Sequence, residues 1–273
     1  TSCSAYTWDF NSHEYTVTGI YTVAGVADCS FEILDLTIED VIPPSITAPE
    51  NVNITVDAGT CEAASVDLGV PETSDNCEIA STENDAPASF PVGETTVLWT
   101  VTDINGNTAT ATQTVTVADE EAPEITEPSV VNATTDGGSC ESASVDLGAL
   151  EYSDNCGIET VENDAPATYP VGETTVTWTV TDIYGNSATA TQLVVVSDEE
   201  PPTITAPADV TLTADAGVCG AGSVDLGIPE TADNCGIDAE DIINDAPTIF
   251  PVGETTVTWT VTDINGKIGR AHV

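Results

Sequence analysis

The chain has 273 residues, 40% of them hydrophobic, and carries 47 acidic side chains against two basic ones, a formal net charge of −45. A polyanion of this kind repels nucleic acid and anionic lipid, so neither is an expected partner. No run of 18 or more apolar residues is present, which excludes a helical membrane span, and the regular strand pattern argues against the disorder that charge alone would suggest.

Residues 1–40 read as a module apart. Tyr6 and Trp8 follow Cys3, YTVTGIYTVAG runs from Tyr15 to Gly25, and Cys29 with LDLTI (Leu34–Ile38) closes it. Strand, glycine turn, strand and last strand predict the closing part of a β module. The C-x-x-Y-T-W opening and the C…L-x-L-T-I ending resemble repeats of secreted proteins from surface-colonising bacteria. His13, in a turn-rich stretch, reads as a solvated surface residue rather than a ligand.

From residue 41 onward the chain repeats itself. Pro44, Pro123 and Pro202 open three copies (41–119, 120–198 and 199–273) at one constant offset. Each copy has a short first strand (SITAP, EITEP, TITAP), a second segment ending in cysteine (NVNITVDAGTC, VVNATTDGGSC, DVTLTADAGVC), then SVDLG, a D-N-C turn and NDAP. Two extra residues between Cys235 and Asn244 are expected to sit in a loop and disturb no strand. The most regular stretch follows: FPVGETTVLWTVTDINGN at Phe90–Asn107, YPVGETTVTWTVTDIYGN at Tyr169–Asn186 and FPVGETTVTWTVTDINGK at Phe250–Lys267. Val97, Trp99 and Val101 alternate with Thr96, Thr100 and Thr102, the period of a half-buried strand. Asn105-Gly106 predicts a hairpin turn in which both residues accept positive φ. Beyond it Ala109, Ala111, Val115 and Val117 should face inward and the threonines outward. On this pattern Trp99, Trp178 and Trp259 are core residues.

The last seven residues, KIGRAHV, leave the repeat and contain both basic side chains, Lys267 and Arg270. They read as an in-frame translation of a sequencing adapter, so the third copy is expected to lack its last strand. With neither an initiator Met nor a signal peptide, the chain reads as a fragment or a mature product.

The linked motifs P-x-I-T-x-P, V-D-L-G, D-N-C, F-P-V-G-x-T-x-V, W-T-V-T-D and G-N resemble the hyalin repeat (HYR) family, in three tandem copies of a bacterial-type secreted surface protein. The resemblance implies immunoglobulin-like β-sandwiches in an extracellular protein. The residues agree independently: short alternating strands, regular turn signals and a repeat of constant length indicate tandem all-β sandwiches. With short linkers opened by proline, these are expected to line up as a rod.

The eight cysteines fall into pairs. Cys61, Cys140 and Cys219 recur at the repeat offset, as do Cys77, Cys156 and Cys235, and the stretch between the two members of a pair is equally long in all three copies. Even number, regular spacing and the lack of C-x-x-C or histidine partners favour disulfides over zinc. The expected bonds are Cys61–Cys77, Cys140–Cys156, Cys219–Cys235 and Cys3–Cys29, in an oxidising setting outside the cell.

No catalytic motif is present: no G-x-S-x-G, no H-E-x-x-H and no phosphate-cradling loop. Carboxylates repeated three times suggest structure or ion binding, so no enzyme activity is expected. Asn53 and Asn132 form Asn-x-Thr sequons at one repeat position and are candidate glycan sites, although a polar strand position tolerates asparagine without sugar. Calcium is the one cofactor the acids call for. Glu39 and Asp40, Asp119 with Glu120 and Glu121, and Asp198 with Glu199 and Glu200 precede the three copies. Each group should meet the turn acids of the domain it enters: Asp103 and Asn105, Asp182, and Asp263 respectively. Hard oxygen ligands of this kind suit Ca²⁺; the competing reading is turn caps and solvated linkers. The expected function is a structural spacer or a fibre or stalk segment of an extracellular adhesin-like or filament-forming protein. Its partners would be neighbouring copies, other surface proteins or glycans. The alternative is a set of carbohydrate- or protein-binding accessory modules of a secreted enzyme. Tyr152 and Tyr184 are the aromatics in the repeats that depart from the core motif, and such a binder would use exposed aromatics.

Overall fold

The structure, a computed structural model, describes residues 6–8, 13–15, 19–24 and 31–273, with side chains from Asp35 onward. Cys3 and Cys29, and with them their expected bond, lie outside the described residues, as does the His13 side chain. The described chain is all-β apart from one 3-10 turn, Ala239–Asp241. It divides into two compact units: Thr1–Glu121 with Asp154–Gly157, and Ala122–Ser153 with Ile158–Val273.

In the first unit Tyr6–Trp8 pairs with His13–Tyr15, and Gly19–Ala24 with Phe31–Leu36, both antiparallel. Beyond them a four-stranded sheet runs in the order Val52–Thr55, Thr108–Ala118, Gly93–Asp103, Ile79–Asn84. The central hairpin holds one register from Gly93↔Val117 to Thr102↔Thr108. The edge strand Val52–Thr55 runs parallel to Val115–Ala118. Two antiparallel pairs cover the sheet: Ser45–Thr47 with Glu72–Ser74, and Glu62–Ala64 with Ser89–Pro91. Val97, Trp99, Val115 and Val117 of the sheet pack against Ala63, Phe90 and Ile46 of the covering layer. Two layers closing on one apolar core make an immunoglobulin-like β-sandwich. The expected alternation is present, with Val101 and Val115 fully buried between exposed or half-buried threonines and Val97 between Thr96 and the exposed Leu98.

Two details depart from the pattern in sequence. The hairpin turn is a three-residue loop, Ile104–Gly106, and only Gly106 is at positive φ, 93°. Asn105 does not take the left-handed conformation, because a three-residue loop asks that of its last residue alone. Second, Gln113 lies on the inward face, 1% exposed. Its Oε1 accepts from Trp99 Nε1 at 3.0 Å, and its Nε2 donates to the carbonyls of Glu50 at 2.7 Å and Leu68 at 3.0 Å. A buried amide is tolerated because its hydrogen bonds are made inside the core.

The second unit contains the same sandwich and a shortened one. Val131–Thr134, Ser187–Ser197, Gly172–Asp182 and Ile158–Asn163 form the first sheet, over a core of Tyr169, Val176, Val194 and Val196. Gln192 repeats the bridge from Trp178 Nε1, at 2.9 Å, to the carbonyls of Ser129 and Leu147. In the third copy the sheet is Ile243–Asn244, Thr258–Thr262 and Ile268–His272. The final strand is therefore present rather than missing: the divergent tail pairs from Thr258↔His272 to Thr262↔Ile268, because backbone bonds need strand geometry, not the repeat's side chains. It is five residues long against eleven in the earlier copies. Residues 209–213 consequently form no edge strand, and Val210 and Leu212 are exposed. Val273 takes the place of the core glutamine, which leaves Trp259 Nε1 buried without a hydrogen-bond partner. The two-residue insertion also reaches a strand. Residues 239–241 coil into the 3-10 turn, and the six-residue strand of the other copies shrinks to Ile243–Asn244.

Candidate functional site: the D-N-C turns and the acidic segments before each copy

In every D-N-C turn the aspartate closes an Asx turn on the cysteine that follows. Asp75 Oδ2 accepts from Cys77 N at 2.7 Å. Asp154 Oδ2 accepts from Cys156 N and Gly157 N, both at 2.8 Å, and Asp233 Oδ2 from Cys235 N at 2.8 Å and Gly236 N at 2.9 Å. The carboxylate thereby fixes the direction of the cysteine. The asparagine between them reaches further. Asn155 Nδ2 donates to the carbonyl of Thr60 at 2.8 Å, and Asn234 Nδ2 to that of Ser139 at 2.9 Å. Thr60 and Ser139 immediately precede Cys61 and Cys140.

The disulfides follow these contacts. Cys61 is bonded to Cys156 and Cys140 to Cys235, each across a sequence separation of 95. This corrects the expected bonds Cys61–Cys77 and Cys140–Cys156, and Cys219–Cys235 is also absent: Cys219 is a free, exposed thiol. Cys77 is itself disulfide-bonded, but not to Cys61. The reason is geometric. Cys61 lies in the turn whose Gly59 amide donates to Glu121 at 3.1 Å, where the chain leaves the first sandwich. Cys77 lies beside the far hairpin, where Ile104 N donates to the carbonyl of Glu78 at 3.1 Å. The two cysteines of one copy thus sit at opposite ends of its sandwich. In the second unit the end where one copy is left is the end where the next is entered: Gly138 N donates to Glu200 at 2.9 Å, and Ile264 N to the carbonyl of Gly236 at 3.2 Å.

The acidic segments split by residue type. Asp40, Asp119 and Asp198 are buried, 6%, 7% and 3% exposed, whereas Glu39, Glu120, Glu121, Glu199 and Glu200 are exposed. Each aspartate accepts from the amide two residues on: Ile42, Glu121 and Glu200, all at 3.1 Å. Glu199 forms a 2.6 Å ion pair with Lys267, which holds its carboxyl below the ordinary range. The turn acids are buried too. Asp103 Oδ1 accepts from Asn105 N and Asn107 N at 2.8 Å, and Oδ2 from Asn107 Nδ2 at 2.7 Å. Burial pushes this carboxyl up, but the bonds from Asn107, Asn105 and Gly106 outweigh it and hold it below the ordinary carboxylate range. Asp182 behaves alike through Asn186, Tyr184 and Gly185. Asn105 is exposed.

The expected approach of entering segment to turn occurs in the first copy, where Asn107 Nδ2 donates to the carbonyl of Asp40 at 3.0 Å. It occurs again in the third, where carboxylate oxygens of Asp198, Asp233 and Asp263 lie within 4.8 Å of one another. Reading by sequence missed the aspartate and asparagine of D-N-C as members of these clusters. Their threefold return beside an oriented cysteine was the available signal. The sequon residues Asn53 and Asn132 are exposed on the parallel edge strands.

These features define an extracellular or cell-surface protein of immunoglobulin-like sandwiches cross-linked by disulfides, which persist in oxidising compartments. Residues 39–117 match the family model of the HYR domain. The chain is 34% identical to hyalin of Lytechinus variegatus over 250 residues, covering 86% of this chain and 46% of that protein. It is 32% identical to hyalin of Strongylocentrotus purpuratus over 263 residues, covering 91% of this chain and 22% of that protein. It therefore spans less than half the length of these animal relatives. Among solved structures, the protocadherin gamma B7 extracellular cadherin domains 1–4 align at TM-score 0.37 and 12% identity, covering 90% of this chain and 79% of theirs. Drosophila N-cadherin EC1–4 aligns at TM-score 0.33 and 12% identity, covering 93% and 81%.

Proposed function

We propose that the chain is a structural spacer segment of an extracellular adhesin-like or filament-forming protein, a run of three HYR copies that are covalently linked copy to copy. The observation that carries this reading is the disulfide spacing. Both described bonds join the first cysteine of one copy to the D-N-C cysteine of the next, at a sequence separation of 95. A binding module that acts alone gains little from such a link. A load-bearing series gains a bond that holds when the fold gives way. On the same pattern Cys219 is the donor for the D-N-C cysteine of a further copy, in the same chain or in a second one.

Peptide mapping without reduction, after thiol alkylation of the folded chain, tests the pairing. Peptides containing Cys61 and Cys156, and Cys140 and Cys235, should elute joined, with label on Cys219. Joined Cys61–Cys77 or Cys140–Cys156 peptides would remove the basis of the proposal.

We also propose that the exposed edge-strand residues Asn53 and Asn132 carry sugar in the native protein, which suits an extracellular fibre component. Intact mass of material from the native source decides this. Excess mass should disappear on enzymatic removal of N-linked glycan, and a mass equal to the bare polypeptide rejects the idea.

A further inference from the structure

We infer that a divalent cation, with calcium the fitting ion, is held where the chain enters the third copy, by Asp198, Asp233, Asn234 and Asp263. One carboxylate oxygen of each aspartate lies within 4.8 Å of the other two. Oxygens bound to one calcium at about 2.3–2.6 Å stand at most about 5 Å apart, so three such atoms fit one ion.

Clustered acids alone would not make a site. The second observation is what their oxygens do. Each aspartate spends one oxygen on orientation. Asp198 Oδ1 accepts from Glu200 N at 3.1 Å, Asn234 Nδ2 at 3.2 Å and Thr135 Oγ1 at 3.4 Å. Asp233 Oδ2 accepts from the amides of Cys235 and Gly236, and Asp263 Oδ1 from those of Asn265 and Lys267, both at 2.8 Å. The other oxygen of each, Asp198 Oδ2, Asp233 Oδ1 and Asp263 Oδ2, is buried with no hydrogen-bond partner. Asp198 and Asp263 are both only 3% exposed.

The neutral Asn234 behaves the same way. Its Nδ2 faces two acceptor oxygens, the Ser139 carbonyl and Asp198 Oδ1, which fixes the amide orientation. Its Oδ1 is left buried and unpartnered. Uncompensated buried carboxylates are strongly destabilising, and a native fold retains them where something positive is bound. The nearby ammonium does not serve, because Lys267 Nζ lies on Glu199 Oε2 at 2.6 Å. Carboxylate and amide oxygens are hard ligands, the set calcium takes, with backbone oxygens and water completing six to eight. The arrangement recurs in the first unit. Asp40 Oδ2 and Asp75 Oδ1 are buried and unpartnered in one cluster, and Asp154 Oδ1 and Asn155 Oδ1 are each buried and unpartnered in the second D-N-C turn. Cys77 completes the former by position only, since a disulfide sulfur is not a ligand. None of this depends on the spacer reading.

The test is calorimetric titration of calcium into the oxidised full chain, beside Asp198→Asn, Asp233→Asn and the exposed Glu254→Gln as control. Binding is expected with Kd on the order of 10⁻⁴–10⁻³ M, the range of extracellular calcium modules. Each aspartate variant should lose one equivalent and the control none; magnesium should bind more weakly. Full stoichiometry in both aspartate variants, or no calcium binding at all, overturns the inference. Asp233 also holds two backbone amides, so for a variant that does not fold the unaltered chain decides. Amide exchange in residues 196–200, 233–236 and 263–267 should slow with calcium, and unchanged exchange in all three overturns it equally.

Discussion

Pulled from its two ends, the oxidised chain will extend by at least about 550 Å less than the reduced chain, at about 3.5 Å per residue, since the bond on Cys77 can only add to what the two described bonds hide. The two bonds overlap in sequence, since Cys140 comes before Cys156. The shortest covalent route from Cys61 to Cys235 therefore leaves the backbone. It crosses Cys61–Cys156, returns along the short stretch from Cys156 to Cys140 and crosses Cys140–Cys235. Once the folds give way, tension is carried by that route, and the remaining backbone between Cys61 and Cys235 stays locked out as slack. Bonds within each copy would behave differently, each hiding only the short stretch between its own two cysteines. Force spectroscopy with and without reductant measures the difference, and a gain on reduction below about 200 Å at the same rise per residue would exclude the overlapping pair. The same bonds stabilise without load. Closing a loop of this length restrains the unfolded chain by about 4–5 kcal/mol on the entropic account.

Replacing Gln113 by leucine keeps the core's volume but should destabilise the first sandwich by about 3–4 kcal/mol, because one buried group loses its partner at about 1–3 kcal/mol and two part-buried carbonyls lose theirs at about 0.5–1.5 kcal/mol each. Those groups are Trp99 Nε1 and the carbonyls of Glu50 and Leu68. Several sandwiches in one chain do not unfold as a single two-state system, so a whole-chain midpoint would blur the effect. Amide exchange read by segment avoids this. Protection in Gly93–Ala118 should fall by about two to three powers of ten, at about 1.36 kcal/mol per tenfold. Gly172–Ser197, built on Gln192, should hold its protection and serve as reference. Equal protection in variant and parent would show that the glutamine is merely accommodated. The third copy supplies the reverse experiment: Val273→Gln gives Trp259 Nε1 its missing acceptor and should raise protection around Thr258–Thr262 about fivefold, the effect of one hydrogen bond worth about 1 kcal/mol.

Taken alone, the sequence determined every property that depends on near neighbours. Alternation of Val97, Trp99 and Val101 with threonines settled which face is buried, because side chains on a strand point to opposite sides at each step. Gly106 settled the hairpin turn, and the constant offset between copies settled which positions correspond. The third copy shows the limit of that logic, since a divergent tail with no repeat residues still completes a strand. Tertiary structure alone decided what depends on which end of a sandwich a residue occupies. Cys61 and Cys77 are close in sequence, yet the strand path carries them to opposite ends, and the cysteine within reach of Cys61 is Cys156, at a sequence separation of 95. Gln113 likewise looks like one more polar strand residue until the carbonyls of Glu50 and Leu68 are brought to it across the core. Linker aspartates read as solvated because nothing adjacent covers them. They are buried because the D-N-C turn, much later in the chain, folds back over them, Asp75 over Asp40 and Asp233 over Asp198. Local pattern fixes the face, but chain reversal chooses the partner, and no spacing in the sequence records where the chain turns back.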